Sequence, residues 1–120
     1  MPNRELLDYI KTELRPKYKI GVISNVLAGF IYLILPKKDL KLFDDLILSY
    51  KAGVAKPDPR IYEMSLKNLG VKPEEAIFID DQERFVEAAK AVGMDAFLYS
   101  SFEDFRQKIE AILQENRLKG

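Results

Sequence analysis

The feature that most constrains this fold is a repeated alternation of short apolar runs and helical patterns. Four runs rich in β-forming residues are each followed by a segment with helical periodicity. They comprise residues 19–24 (KIGVIS), 46–50 (LILSY), 76–80 (AIFID) and 96–100 (AFLYS). Because the runs are continuously apolar rather than alternating, they are typical of strands covered on both faces in a parallel sheet. The alternation therefore predicts a doubly wound α/β domain with right-handed crossovers.

The helices between these runs have recognisable ends. Serine, aspartate and asparagine favour the N-cap, proline the first helical position, and glycine the position after the last turn. We predict a helix from Asn3 to about Leu14, one that begins at Asp58 and Pro59 and stops at Gly70, one over residues 82–92 that ends at Gly93, and one that begins with Ser101 and Asp104 as a capping box. With no repeat or linker, residues 1–120 are expected to form a single domain.

The composition excludes several kinds of chemistry. The chain has neither cysteine nor histidine, which excludes disulfides, zinc–thiolate sites and Ser–His or Cys–His catalysis. Lysine and arginine balance aspartate and glutamate at 19 each, so neither nucleic acid nor an acidic membrane is an expected partner. The longest apolar run is shorter than the about 20 residues of a membrane span, and no signal peptide is recognisable. We expect a cytoplasmic protein.

Polar side chains follow three of the predicted strands. Ser24 and Asn25 close the first strand, Lys56 lies in the loop after the second, and Asp80 and Asp81 close the third. In an open α/β sheet the ligand site lies beyond the carboxyl ends of the strands, where these groups can converge. Each has a simpler interpretation, as a turn residue, a solvated lysine or a pair of helix caps. Together they indicate a site for a small phosphorylated ligand bound with magnesium.

The segments that carry these residues resemble a known family. GVISN, GVAKPDPRIYE and IFIDDQERFVEAAKAVGM resemble, in order, the second, third and fourth motifs of the haloacid dehalogenase-like hydrolase superfamily. The resemblance extends over about residues 5–115. The two acidic residues directly after the apolar strand resemble the fourth motif of the phosphatase-like subgroup. The resemblance implies a Rossmann-like three-layer fold and magnesium-dependent hydrolysis of phosphate esters.

The resemblance also implies a role for each residue. Ser24, helped by the Asn25 amide, would bind a phosphoryl oxygen, and Lys56 would offset charge on the phosphoryl group and on the nucleophile. Asp80 would bind magnesium directly or through water, and Asp81 would orient Lys56 or a metal-bound water. The implied catalytic residues are thus Ser24, Lys56 and Asp81. The implied phosphate ligands are Ser24, Asn25 and Lys56, and the implied metal ligands are Asp80 and Asp81.

The first motif of that family, a strand ending in Asp-x-Asp, has no counterpart in these 120 residues. In the family, its first aspartate is the nucleophile and its second is the general acid and base. The resemblance therefore implies a truncated core, without a cap, that is inactive alone. Phe85 is a smaller departure, because the subgroup often has asparagine at that position.

Two sheet arrangements are open, because the first-motif strand is central in the family. Either the gap closes into a four-stranded parallel sheet of order 2-1-3-4, or another chain supplies the strand. An unfilled gap is not expected, since it would leave backbone donors and acceptors without partners. Of the two arrangements, we expect the closed order. A closed gap would crowd the phosphate pocket, whereas a filled gap would favour a working site.

The apolar segment from Leu27 to Leu35 bears on partners. Its apolar residues would surround most of a helix, which is typical of helices buried on several sides. A homodimer or partner-chain contact and burial against the last helix are equally good interpretations.

Two functional hypotheses follow. The first is a phosphatase-type hydrolase core, alone or as one part of a split enzyme. The second is a non-enzymatic binding module that keeps the fold. The loop of Lys56 disfavours a third, a receiver-like domain.

Overall fold

A computed structural model of the chain describes residues 4–25 and 43–119, with side chains as far as residue 114. In chain order the elements are α1 (Arg4–Tyr9), which continues as a π-helical turn (Ile10–Leu14), β1 (Gly21–Ser24), β2 (Asp45–Leu48), α2 (Ser49–Ala52), α3 (Pro59–Leu69), a 3-10 turn (Pro73–Glu75), β3 (Ile77–Asp80), α4 (Glu83–Val92), β4 (Asp95–Leu98) and α5 (Phe102–Lys119). The predicted α/β class is confirmed.

The helix ends lie where the capping residues predict them. The Asp58 side chain accepts a hydrogen bond from the Arg60 amide at 2.9 Å, with Pro59 as the first residue of α3. Gly70 and Gly93 end α3 and α4 in the left-handed region, with φ of 71° and 107°. These predictions succeed because a cap depends on local backbone geometry. The cap predicted at residue 3 lies outside the described residues.

The strand boundaries need correction at β2. The predicted strand over residues 46–50 begins one residue earlier, at Asp45, and ends at Leu48. Ser49 and Tyr50 form the first turn of the short helix α2 instead. The periodicity of so short an apolar run does not distinguish a strand from a helical turn.

The four strands form two parallel pairs. β1 pairs with β2 from Gly21 opposite Asp45 to Ser24 opposite Leu48, and β3 pairs with β4 in the same direction. Within the described ranges, no hydrogen-bonded ladder joins β1 to β3. The expected continuous sheet of order 2-1-3-4 is therefore corrected to two separate two-stranded units. The expectation assumed that strand edges must pair, whereas these units are held together by helices and side chains.

Helices cover both faces of the strand pairs. On one face α3 contacts β1 and β2, α4 contacts β3 and β4, and the two helices contact each other. The core on this face is built from Ile47, Ile61, Tyr62 and Ala89, with Ile23, Phe78 and Ala96 packed against it. The core on the other face is built from Leu14, Phe105 and Ile109, with Ile20, Ile77, Ile79 and Phe97 packed against it. Alternate strand residues thus point to opposite layers, as a three-layer domain requires.

The burial of the strands is the reverse of what a closed sheet gives. Ile47 and Leu48 on the outer strand β2 are 5% and 8% exposed. On β1 and β3, which would be central in a closed sheet, no side chain is fully buried. The inner edges of the two pairs are therefore incompletely covered by the described part of the chain.

The segment from Leu27 to Leu35 lies outside the described residues, so both interpretations of its apolar surface stay predictions. Among the helices that the structure describes, none combines the length and the apolar character needed to cross a membrane.

Asp44 fastens β1 to β2 where the two strands begin. Its carboxylate accepts hydrogen bonds from the Ile20 amide at 2.6 Å and from the Arg15 guanidinium at 3.1 Å. Its own amide donates to the Ile20 carbonyl at 2.7 Å. The hydrogen bond from the Ile20 amide, followed by that from Arg15, lowers the pKa of Asp44. The charged form of Asp44 is therefore favoured by folding.

We predict that Asp44→Asn destabilises the protein at neutral pH and that the difference disappears in acid. A carboxyl whose pKa is lowered by folding stabilises above its unfolded pKa, and this contribution is lost as the pH falls through the folded pKa. Urea denaturation at pH 7, 5 and 3 measures the free energy of unfolding of both proteins. Glu74→Gln, at an exposed carboxylate of the 3-10 turn, is the control. An equal difference at all three pH values would contradict the prediction.

Candidate functional site

The candidate residues lie at the carboxyl ends of β1 and β3 and in the loop between α2 and α3. Ser24 is the last residue of β1 and Asp80 the last residue of β3. Gly53 ends α2 with a φ of 79°, and the chain then passes through Lys56 and a cis peptide bond to Pro57. The predicted location beyond the carboxyl ends of the strands therefore agrees with the structure.

Asn25 clamps the Lys56 loop to the end of β1. Its side-chain amide donates to the Lys56 carbonyl at 3.0 Å, and its side-chain oxygen accepts from the Lys56 amide at 2.9 Å. A primary amide offers a donor and an acceptor side by side, so it can satisfy both groups of one backbone residue. The sequence suggested only a backbone contact from Asn25 to phosphate. This side-chain role has no signal in the sequence, because the Lys56 loop lies 31 residues away.

Lys56 and Asp80 form an ion pair that is largely, though not fully, buried. The Lys56 ammonium lies 2.5 Å from Oδ2 of Asp80, and each side chain is only 10% exposed. The other oxygen of Asp80, Oδ1, accepts from the Gln82 amide at 3.0 Å. The pair links the β1–β2 unit, through the clamped loop, to the end of β3. Of the two carboxylates, Asp80 is the one that contacts Lys56, and the role of Asp81 toward Lys56 or a metal-bound water stays a prediction.

Asp81 lies at the exposed end of the same carboxylate pair. A hydrogen bond with Asp80, followed by partial burial and the negative charge of Asp80, raises the pKa of Asp81. Adjacent carboxylates disfavour simultaneous ionisation, and a cation bound between them would relieve this repulsion. Among the described residues, no group of three acidic side chains could hold a metal ion. Asp80 and Asp81 offer carboxylate oxygens, the donor type that magnesium prefers, but two carboxylates are fewer than a full ligand set.

Aromatic rings form the floor beneath Lys56. The Lys56 ammonium lies 4.8 Å from the ring centre of Phe85 and 5.8 Å from that of Phe78. Tyr62 packs edge-on against Phe78 at 5.1 Å and donates a hydrogen bond to the Phe85 carbonyl at 2.9 Å. Burial, with the charge of Asp80, raises the pKa of Tyr62 to about 12. Sequence reasoning noted Phe85 only as a departure from the family and missed this contact.

The structure thus joins three of the five candidate residues by direct contacts. Asn25 holds the Lys56 backbone, and Asp80 holds its ammonium group. Ser24 is half-buried and directly precedes Asn25, while Asp81 directly follows Asp80. The arrangement presents a fixed cation, a hydroxyl and paired carboxylates at one end of the strands, which is chemistry suited to a phosphoryl group.

A three-layer α/β domain with these groups at its strand ends defines a Rossmann-like class of protein. Residues 3–99 match the haloacid dehalogenase-like hydrolase family. The chain belongs to this family, which confirms the resemblance seen in its motifs.

Individual relatives agree with this assignment. The chain is 36% identical over 114 residues to a D-ribitol-5-phosphate phosphatase of Bacteroides thetaiotaomicron, which covers 89% of this chain and 55% of the relative. It is 30% identical over 111 residues to a phosphorylated carbohydrates phosphatase of Thermotoga maritima, which covers 90% of this chain and 50% of the relative. The chain therefore spans about half the length of these relatives.

A solved structure shares the fold. A haloacid dehalogenase family enzyme of Bacteroides thetaiotaomicron, solved as a complex with magnesium and inorganic phosphate, superimposes with a TM-score of 0.72 at 26% identity. The superposition covers 85% of this chain and 55% of that structure. The described elements therefore correspond to about half of a family member.

We predict that Lys56→Met destabilises the protein by about 3 kcal/mol or more, because it leaves the covered Asp80 charge without its partner. The double variant Lys56→Met/Asp80→Asn is expected to cost less than the sum of the two single changes. Urea denaturation of the four proteins measures this coupling. Lys90→Met removes an ion pair that is half exposed and is expected to cost below ~0.5 kcal/mol. If the double variant loses as much free energy of unfolding as the two single variants together, Lys56 and Asp80 are not energetically coupled and the prediction is wrong.

Proposed function

We propose that this chain is the phosphoryl-binding part of a magnesium-dependent phosphatase of the haloacid dehalogenase-like family. The observation that carries the proposal is the Lys56 ammonium, fixed by Asp80 and by the Asn25 clamp at the strand ends. A fixed cation stabilises the charge that spreads over phosphoryl oxygens during transfer. In this proposal Lys56 offsets phosphoryl charge, and the Ser24 hydroxyl with the Asn25 backbone amide binds a phosphoryl oxygen.

The substrate class that we propose is small phosphorylated carbohydrates. Two relatives that match about nine-tenths of this chain bear names that specify phosphorylated sugars or polyols. The described site supports the phosphate half of this assignment, because its fixed groups suit an anion. The carbohydrate part of the substrate is proposed only from the names of these relatives.

Asp80 and Asp81 are the residues that we propose to hold magnesium. Both offer carboxylate oxygens, and Asp81 already has a raised pKa because it lies beside Asp80. When bound, the ion would offset negative charge on the phosphoryl group. The magnesium and inorganic phosphate in the related solved structure support the choice of ion, and the choice of residues rests on their position at the end of β3.

We propose that a further β-strand, lying between the unpaired edges of β1 and β3, completes the site. No ladder joins these strands in the described part of the chain, and their side chains are less buried than those of β2. The 120 residues contain no Asp-x-Asp sequence. The proposed occupant is a β-strand that carries the Asp-x-Asp motif and pairs with both open edges, either on a longer polypeptide or on a partner chain. Without it, Lys56 and Asp80 bind ligands but have no nucleophile to assist.

A non-enzymatic binding module is the second candidate. It is favoured by one observation, which is that both oxygens of Asp80 are already satisfied within the chain. A site whose groups are paired in this way is stable without further chemistry. The following experiment separates the two candidates.

We predict that these 120 residues alone do not hydrolyse p-nitrophenyl phosphate or D-ribitol 5-phosphate with magnesium. Hydrolysis should appear when they are produced together with the part of the Bacteroides relative that lies outside the matched region. Released inorganic phosphate is the measurement. Asp80→Ala is expected to abolish the restored activity.

Two outcomes would contradict the proposal. Robust turnover by the chain alone, abolished by Asp80→Ala, would show that no added nucleophile is needed. A stable complex with the added part that stays inactive would instead favour the binding module.

We predict that the chain binds magnesium weakly, at millimolar concentration, because two carboxylates form only part of a ligand set. Isothermal titration calorimetry measures the affinity. Asp81→Asn should abolish the binding. Asp95→Asn should leave it unchanged, because Asp95 lies at the amino end of β4, away from the site. Absence of binding at millimolar magnesium in the unmodified chain would remove the proposed metal site.

A further inference from the structure

The Lys56 ammonium contacts one carboxylate and two aromatic rings, of which Phe85 is nearer than Phe78. Asp80 contacts it as an anion at 2.5 Å, and the Phe85 ring contacts it through its face at 4.8 Å from the ring centre. An ammonium group within about 6 Å of a ring centre is attracted by the ring quadrupole, more strongly where water is excluded. The Lys56 side chain is 10% exposed, so this condition is met.

The Phe85 ring is itself firmly placed. Phe85 is 4% exposed, and its carbonyl accepts the hydrogen bond of the buried Tyr62 hydroxyl. Its amide donates to the Gln82 carbonyl at 3.1 Å in the first turn of α4. Because the backbone is fixed on both sides, the ring cannot withdraw from Lys56 without disturbing the core on that face.

The two contacts differ in what can displace them. Asp80 is the proposed magnesium ligand, so a bound divalent ion and Lys56 compete for the same carboxylate. The Phe85 ring is not a ligand for magnesium, which prefers hard oxygen donors. The ring contact therefore persists when the carboxylate is shared.

We propose that Phe85 is a positioning residue for Lys56, whose ring keeps the ammonium group at the carboxyl ends of the strands independently of Asp80. This inference rests on the proposed function, because it assigns a purpose to Lys56 as the phosphoryl-binding cation. Leucine at this position would fill similar space but present no negative ring face. Tyrosine would keep the ring.

One further cation touches the same ring and must be separated in the test. The exposed Arg84 guanidinium lies 4.6 Å from the Phe85 ring centre, and its Nε donates to the Gln82 side chain. If Arg84 rather than Lys56 is the cation that Phe85 serves, Arg84→Met would reproduce the effects of Phe85→Leu. We expect Arg84→Met to leave Lys56 unchanged.

The test uses the whole chain with carbon-13-labelled lysine. Nuclear magnetic relaxation of the Lys56 Cε group reports how ordered the ammonium end of the side chain is. We expect high order in the unmodified chain and in Phe85→Tyr. With Asp80→Asn also in place, so that the ion pair no longer holds Lys56, the order should fall when Phe85→Leu is added and stay higher when Phe85→Tyr is added. Phe97→Leu is the matched control, because Phe97 also lies under a lysine, Lys108, at 5.6 Å, but on the other face of the domain.

A titration with inorganic phosphate is the second measurement. Phe85→Leu should weaken binding roughly ten-fold, the loss that follows from one partly desolvated cation–ring contact, and Phe85→Tyr should restore it. A loss of core packing alone would lower stability in both Phe85→Leu and Phe97→Leu without a selective effect on Lys56.

The outcomes distinguish the two proposals. Unchanged Lys56 order when Phe85→Leu is added to folded Asp80→Asn would overturn the positioning role, as would unchanged phosphate affinity in Phe85→Leu. If the unmodified chain binds no phosphate while Lys56 loses order when Phe85→Leu is added to Asp80→Asn, the proposed function fails and the positioning role stands.

Discussion

A largely buried ion pair between Lys56 and Asp80 joins the two strand pairs on which the candidate site is built. Lys56 belongs to the β1 side, because Asn25 clamps its backbone to the end of that strand. Asp80 ends β3. Removing both charges from water costs free energy that is repaid only where geometry and further hydrogen bonds are good. The Gln82 amide supplies such a bond to Asp80, so the pair joins two strand pairs between which the described residues form no backbone ladder.

The sequence predicts the parts of this fold that depend on neighbouring residues. The caps at Asp58, Gly70 and Gly93 are local devices, and all three lie where expected. The strand pairing is not local. Whether β1 joins β3 depends on how helices α3 and α4 hold the two pairs, and no pattern along the chain encodes that spacing. For this reason the four-stranded order could not be predicted reliably from the sequence, whereas the helix ends could.

In the candidate site, too, the sequence predicts some features and not others. The motif residues at strand ends correctly predict that Asn25, Lys56 and Asp80 are neighbours, because parallel strands bring their carboxyl ends to one edge. The partners within the site were less predictable. The Asn25 clamp and the Phe85 ring are contacts between residues far apart in the sequence, and an asparagine or phenylalanine has many other ordinary uses. Such contacts require the three-dimensional arrangement to be seen.

The charge balance of the site links metal binding to the proposed additional strand. In the described chain, Lys56 offsets the charge of Asp80, and the pKa of Asp81 is raised by a hydrogen bond with Asp80, by partial burial and by the Asp80 charge. A strand that ends in Asp-x-Asp would bring two further carboxylates to the same poorly solvated place. Several like charges cannot all stay ionised there without a compensating cation. Strand docking should therefore strengthen magnesium binding, and magnesium should in turn strengthen strand docking, because the two free energies are coupled reciprocally.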